Sequence, residues 1–393
     1  MERARGHFVT RSYAGVAGAQ TAAQRRGGKY QAFIPDPIAE FELRLSSRLV
    51  AELDAAAGAV RALNASPPKL ASLEAVARHL LRQESTASSR IEGLSLGHRR
   101  IALADFDLEN SRDAKAADIV GNIHAMRQAI DLGDSTGQIT PEHIRAIHAT
   151  LLRYGGDDLI AGKWRSQQGW IGGSAPTQAV YVPPPPEEVH RLVKDLCTFI
   201  NRTDVPILMQ AAVVHAQFET VHPFADGNGR VGRCLIHMVL RRRGLAPNFV
   251  PPISVVLAAR REAYFGGLKE YRDNEVEQWL TFFADATGVA ALTAEELSGS
   301  IDKLEANWLS RFARRPRRDS AVYRVVRMLP AHPVLNVVTV QDELGVSDVA
   351  AGNALNELAN VDVIRVVDDR VRGRVWECPT MYTLMTEFEG TRS

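Results

Sequence analysis

Apolar residues recur at helical spacing along most of the chain. Leu43, Leu49 and Leu53 share one face of a helix predicted over residues 40–63, and Ser66, Pro67 and Pro68 end it. A second helix is predicted over about 70–91, with Gly93 just past its end, and a third over 114–132. Thr140, Pro141 and Glu142 supply an N-cap hydroxyl, a proline at the first helical position and an early acid, which starts a helix over 142–152. The period then changes. Gly169, Trp170, Ile171, Gly172 and Gly173 on one side, and Val180, Tyr181 and Val182 on the other, flank a polar turn, which reads as a short β-hairpin closing on the stiff Pro183, Pro184, Pro185 and Pro186. Helical spacing resumes over 187–200, 207–219, 229–243, 256–271 and 276–312, with a break expected in the last near Gly288. An arginine-rich stretch over 311–318 containing Pro316 reads as a linker. From Ser320 the order is helix, turn, helix and two β-branched runs around Asp368 and Asp369, with Thr339 and Ser347 as N-caps and Gly345 in the turn. That is a winged-helix outline. The fold class expected is mainly α, a helical bundle with a short β-hairpin, plus a small C-terminal α+β domain.

A chain of 393 residues exceeds what one hydrophobic core usually organises, so two or three domains are expected. The 47 Lys and Arg nearly balance 46 Asp and Glu, leaving a net charge of +1 and no global field toward nucleic acid or an anionic membrane. Cys197, Cys234 and Cys378 follow no metal-ligand or disulfide spacing, and no apolar run approaches the roughly 20 residues that span a bilayer. Residues 1–29 lack the apolar stretch of a signal peptide. A cytoplasmic protein without membrane partners is therefore expected, with residues 1–33 as a mobile arm.

The chemistry concentrates at one string: His222, Phe224, Asp226, Gly227, Asn228, Gly229, Arg230 and Arg233. Gly227 and Gly229 bracket Asn228 just before a helix, where backbone N–H groups and the helix dipole converge on an anion. Arg230 and Arg233, three apart, share a helical face and can clamp separate phosphates. Asp226 can hold a Mg²⁺ bridging phosphates. Chance agreement at eight positions is on the order of 10⁻¹⁰ for evenly drawn residues.

These eight positions resemble the signature of the Fic (Fic/DOC) family. The resemblance implies transfer of AMP from ATP to a Tyr, Thr or Ser hydroxyl of a target protein, with self-modification expected. His222 would be the general base, Asp226 the Mg²⁺ ligand, and Asn228, the glycine amides and Arg230 would steady the α- and β-phosphates. Arg233 would reach the γ-phosphate, and Phe224 would anchor the loop. Family members that act as kinases carry Ala and Lys where this chain has Gly227 and Gly229, which favours AMP as the transferred group. Gly162, Lys163, Trp164 and Arg165, then Trp170, Ile171, Gly172, Gly173 and Tyr181, resemble the segment whose hairpin, the flap, aligns a target peptide by strand addition.

Ser88, Glu92 and Gly93 resemble the inhibitory motif of the family, in which the glutamate pairs with the last arginine of the signature, here Arg233. The resemblance thus divides the chain into an arm (1–33), an N-terminal helical region with the inhibitory helix (34–110), a Fic core (111–250), a helical extension and linker (251–318) and a winged-helix domain (319–393). In that last domain Arg365, Arg370, Arg372 and Arg374 decorate the wing, but Asp342, Glu343, Asp348 and Glu357 dilute the charge, so contact with protein, including a homodimer partner, is favoured over DNA. Two other readings stand beside the transferase: a DNA-binding regulator with a nucleotide-sensing core, and a bifunctional enzyme that also removes AMP.

Overall fold

The structure, a computed structural model, describes residues 5–65, 73–108, 113–135, 137–155, 158–368 and 373–390. In chain order the elements are β1 (Gly6–Tyr13), α1 (Ala22–Arg25), β2 (Gly28–Pro35), α2 (Ser47–Ala65), α3 (Leu73–Ile91), α4 (His98–Phe106), α5 (Ala114–Ser135), α6 (Pro141–Leu152), α7 (Pro186–Ile200), α8 (Ile207–Val221) and α9 (Asn228–Arg242). Then come α10 (Ile253–Ala259), α11 (Arg261–Arg272), α12 (Val276–Ser310), α13 (Ala321–Met328), β3 (Val334–Leu335), α14 (Val337–Leu344), α15 (Asp348–Asn360), β4 (Arg365–Asp368), β5 (Val375–Glu377) and α16 (Pro379–Gly390). The fold is mainly helical, with small antiparallel sheets. No described helix is long and apolar enough to cross a membrane. The chain forms two units: Met1–Ala57, His124–Leu245 and Arg260–Ala286 make the first, and Gly58–Ile123, Ala246–Ala259 and Thr287–Ser393 the second.

In the first unit α8 is the central rod, buried on every side from Leu208 to Val221. A helix apolar all round must be enclosed, and Ala211, Ala212 and Ala216 let its neighbours α7, α9 and α11 approach closely. Trp279 Nε1 donates to the Ala212 carbonyl at 3.0 Å. Residues expected in a mobile arm instead form a hairpin, β1 and β2 pairing from Gly6↔Pro35 to Tyr13↔Gly28. Within it Phe8 packs on its cross-strand partner Phe33 at 5.2 Å, and further support lies far off in sequence: Arg11 bonds Glu187 at 2.8 Å, and the Phe33 N–H donates to the Val182 carbonyl at 2.9 Å. Helix α2 starts seven residues later than the apolar spacing suggests. Ser46 Oγ accepts the Leu49 N–H at 3.3 Å, and the Ile38 and Ala39 amides are taken by the Asp195 carboxylate at 2.6 and 3.1 Å. Cys197 and Cys234 are buried and form no disulfide, and burial pushes the Cys197 thiol up to about 12.

In the second unit α10 packs on α3, where the buried Glu84 accepts from the Ser254 amide at 2.6 Å and its hydroxyl at 2.5 Å. Helices α13 to α15 and the sheet β3-β5-β4 enclose a core that includes Trp308, Val325, Val326, Leu355, Leu358 and Trp376. Arg99 and Arg365 both reach the buried Glu377, each at 2.7 Å. Asn336, not Thr339, caps α14: its Oδ1 accepts the Thr339 N–H at 2.8 Å. Ser347 caps α15 and Gly345 ends α14 in the left-handed region, as expected. The expected break near Gly288 is absent, since α12 runs through it, whereas the stretch over 256–271 is broken at Arg260. Cys378 is buried and free, its thiol raised to about 11 by burial. The helix break at Ser66, the start of the helix at 70, and Asp369, Arg370 and Arg372 lie outside the described residues.

Candidate active site

The string from His222 to Arg233 forms the turn from α8 into α9, in the first unit. His222 caps α8 with φ 48° and ψ 61°, a left-handed conformation uncommon for a residue with a side chain, and its N–H donates to the Phe218 carbonyl at 2.8 Å. Arg165 holds that geometry. Its Nε donates to the His222 carbonyl at 2.8 Å, its Nη2 to Pro184 O at 2.5 Å, and its backbone N–H to Pro223 O at 2.9 Å. The side chain is buried, and desolvation lowers the guanidinium pKa to about 10.

The other half of the turn is held by rings and an amide. Phe224, buried as expected, stacks on His148 with centroids 3.7 Å apart and planes 4° from parallel, and on Trp164 at 4.7 Å. Asn228 Oδ1 accepts the Phe224 N–H at 2.8 Å and its Nδ2 donates to the Phe224 carbonyl at 2.9 Å, so its side chain is spent on shaping the loop. Gly227 sits at φ 75°, and a Cβ there would stand 2.8 Å from Leu151 Cδ2. His148 Nδ1 accepts the Gly162 N–H at 2.9 Å, which leaves the proton on Nε2 to bond the Asp226 carbonyl at 3.0 Å. Burial keeps this imidazole neutral, its pKa pushed down to about 4.

No side chain of the described residues caps the N-terminus of α9, so its first amides begin at the turn without a side-chain cap. Arg230 is buried, with Nη2 3.4 Å from Asp226 Oδ2, and its Nε and Nη1 are buried without a hydrogen bond among the described residues. The Asp226 side chain is 69% exposed. Arg233 is buried, Nη1 3.4 Å from the Tyr264 hydroxyl, which lies 2.9 Å from His215 Nε2. Burial, aided by the Arg233 charge, lowers the His215 pKa to about 3. Glu219 Oε2 stands 3.9 Å from His222 Nδ1, and a Cβ on residue 232 would lie 2.5 Å from Glu219 Oε1, so Gly232 makes room for that carboxylate.

Trp170, Ile171, Gly172, Gly173 and Tyr181 form a hairpin in the same unit. Ile171 N–H donates to Tyr181 O at 2.8 Å and Val180 N–H to Ile171 O at 2.9 Å, with Gly172 and Gly173 at φ 70° and 72° in the turn. Trp170 and Ile171 are partly exposed, and Tyr181 Oη donates to the Thr220 carbonyl at 2.6 Å, two residues before His222. A cavity of about 520 Å³ lined by Leu159, Trp164, Gln168, Trp170 and Ala225 adjoins the turn. Ser88, Glu92 and Gly93 lie in the second unit at the end of α3: Ser88 is buried, Glu92 is exposed, and Gly93 at φ 82° ends the helix.

Four residues that shape the turn carry no role in the sequence motif: His148, Arg165, Glu219 and Tyr264. A signal exists for His148, a histidine on the apolar face of α6 with Ile144, Ile147 and Leu151. Among the described residues no group of three or more His, Cys, Asp and Glu could hold a metal, so a metal here would rest on Asp226 and on oxygens brought by a ligand.

Residues 138–240 match the Fic/DOC family, and residues 50–131 match the Fic/DOC family N-terminal region. The protein adenylyltransferase Fic of Drosophila willistoni is 27% identical over 254 residues, 62% of this chain and 47% of that protein. The protein of that name from Aedes aegypti is 28% identical over 152 residues, 38% of this chain and 28% of its own. The matches thus span less than half the length of these relatives. Among solved structures, a Fic family protein from Desulfovibrio desulfuricans G20 aligns with a TM-score of 0.51 at 22% identity, covering 86% of this chain and 97% of that one. A Fic domain containing signaling protein from Bacteroides thetaiotaomicron VPI-5482 gives 0.52 at 18% identity, covering 63% and 97%. Likeness at that identity speaks to fold.

Proposed function

From a chain that carries a Fic/DOC domain behind a Fic/DOC N-terminal region, we propose a protein adenylyltransferase, which moves AMP from ATP to a Tyr, Thr or Ser hydroxyl of a target protein and releases pyrophosphate. The observation that supports it most is Arg230: a buried guanidinium with two unspent donors beside uncapped helix amides is a site prepared for a phosphate, and His222 stands at the same turn. The Glu219 carboxylate, 3.9 Å from His222 Nδ1, offsets the charge of the imidazolium that forms when His222 takes the target hydroxyl's proton. The hydroxyl oxygen attacks the α-phosphorus, the bond to the bridging oxygen breaks, and pyrophosphate departs. The amides of Gly227, Asn228 and Gly229 with Arg230 hold the α- and β-phosphates, and Arg233 takes the γ-phosphate.

The residues fit Mg²⁺. Asp226 offers an exposed carboxylate beside the turn, and this ion takes one or two carboxylates together with phosphate oxygens. Its charge, when bound, offsets that of the phosphates. The Trp170–Ile171 edge receives an extended target segment by strand addition. The segment from Ser320 onward acts as a winged-helix adaptor for a protein partner.

We also assign Glu92 as a brake that competes with the γ-phosphate for Arg233. Displacing one charge-assisted pair costs about 1–3 kcal/mol, one or two decades in active population. Glu92→Gly should raise self-modification with labelled ATP by about tenfold or more, and His222→Ala added to it should abolish the label. An unchanged rate in Glu92→Gly would sink the brake, and a retained label in the double variant would sink the base.

A further inference from the structure

The N-terminal hairpin and the flap enclose a second cavity, of about 430 Å³, whose lining includes Phe8, Tyr30, Phe33, Thr177, Tyr181 and Arg272. None of its residues belongs to the turn between His222 and Arg233. Its walls are aromatic, and one strong cation is set into them. Arg272, the last residue of α11, lays its guanidinium over the Tyr181 ring at 4.3 Å, and the ring is itself fixed by its hydroxyl on the Thr220 carbonyl. That guanidinium makes no hydrogen bond or ion pair with any described residue, while Asp273 and Glu219 act on it only through space. Lys269 and Asp273, also at the cavity, are paired with each other at 2.6 Å. With Lys269, Arg272 and Asp273 as its charged lining, the cavity carries one net positive charge. Desolvation holds Arg272 below the usual guanidinium range.

A cation kept half-buried without an anionic partner is costly, and its planar fork matches the two oxygens of a carboxylate or a phosphate. A cavity of this size with apolar walls and a single convergent charged group has the make-up of a small-molecule site. We propose that this cavity is a second binding site, for a small aromatic ligand bearing an oxyanion: the carboxylate or phosphate sits on the Arg272 fork, and the ring lies against Tyr30 and Phe33.

The full chain would be titrated calorimetrically with benzoate, phenyl phosphate, inorganic phosphate and the neutral benzyl alcohol. One or both aryl anions should bind saturably and at least about tenfold tighter than benzyl alcohol, the tighter of the two identifying the oxyanion, and Arg272→Gln should weaken that binding at least about tenfold. Arg230→Ala should leave it unchanged, since that residue belongs to the turn. The proposal is overturned if neither aryl anion binds, if benzyl alcohol binds equally well, if Arg272→Gln has no effect, or if Arg230→Ala abolishes binding. Because Arg272→Gln also removes the contact with Tyr181, the unaltered chain provides a separate reading. Modification of Arg272 by phenylglyoxal, followed by peptide mass spectrometry, should slow severalfold in saturating aryl anion. An unprotected Arg272 contradicts the proposal.

Discussion

His222 holds a left-handed backbone, and what holds it there is a buried arginine that spends its donors on carbonyl groups. Arg165 reaches His222 O, Pro184 O and Gln167 O, fixing the His222 turn and the base of the Trp170–Tyr181 hairpin with one side chain. Arg165→Lys keeps the charge but loses the fork. If two of these bonds are lost, each worth about 1.5–3 kcal/mol for a charged donor, partial rearrangement should still leave the AMP-transfer kcat down about 10–100-fold. The KM for ATP should change little, because the α9 donors proposed to hold phosphate are not touched; a raised KM with an unchanged kcat would contradict a positioning role. The turn from His222 to Arg233 is legible because its backbone pattern is local, a glycine turn followed by a helix. Arg165, His148 and Glu219 were not, because their partners are backbone carbonyls, a ring and a carboxylate that only the folded chain brings near. The side-chain amide of Asn228 is occupied with Phe224, a bond the motif gives no sign of.

Among elements, helix ends with a cap in sequence were read well, and pairings between distant segments were not. Thr140 before Pro141 located the start of α6, and Gly93 the end of α3. Asn336 and Thr339, three residues apart, are equally good capping types for α14, and only the reciprocal bonds between them separate the roles. The hairpin β1–β2 escaped because its alternation is diluted by Gly, Arg and Gln and is fixed by packing against residues more than a hundred positions away. One consequence concerns the flap. Phe33 bonds Val182 while Ile171 bonds Tyr181, so the flap is braced from behind and open along its Trp170–Ile171 edge. Ile171→Pro removes the N–H that Tyr181 O accepts and stiffens that edge. Transfer to a target protein should fall at least about tenfold while calorimetric ATP affinity stays unchanged; equal loss of both would place Ile171 in the nucleotide site.

For the molecule entire, buried titratable groups set an asymmetric response to acid. His148 and His215 in the first unit are held neutral by burial, with pKa values lowered to about 4 and about 3, and His79 in the second to about 3. A histidine with a depressed folded pKa stabilises fully above the unfolded value near 6.5, and that stability is lost as pH falls toward the folded pKa. Glu305, also in the second unit, works the other way: burial raises its carboxyl to about 8, so its cost in the folded state fades as pH drops from about 8 toward 4.5. Between about pH 6.5 and 4.5, unfolding the first unit takes up two protons at these sites; in the second, one taken up by His79 is offset by one released from Glu305. Hydrogen exchange corrected for intrinsic rates should therefore show α8 losing protection across that window while α15 changes little, and a uniform loss would contradict it.

The three cysteines have a consequence for watching the protein at work. All are buried and outside any disulfide, and burial holds the thiols of Cys197 and Cys378 well above neutrality. A thiol-directed dye at neutral pH would find little to react with. Val180, 87% exposed on the flap, is then a natural place for one introduced cysteine. A fluorophore there would report in real time on what approaches the hairpin, against a nearly silent background.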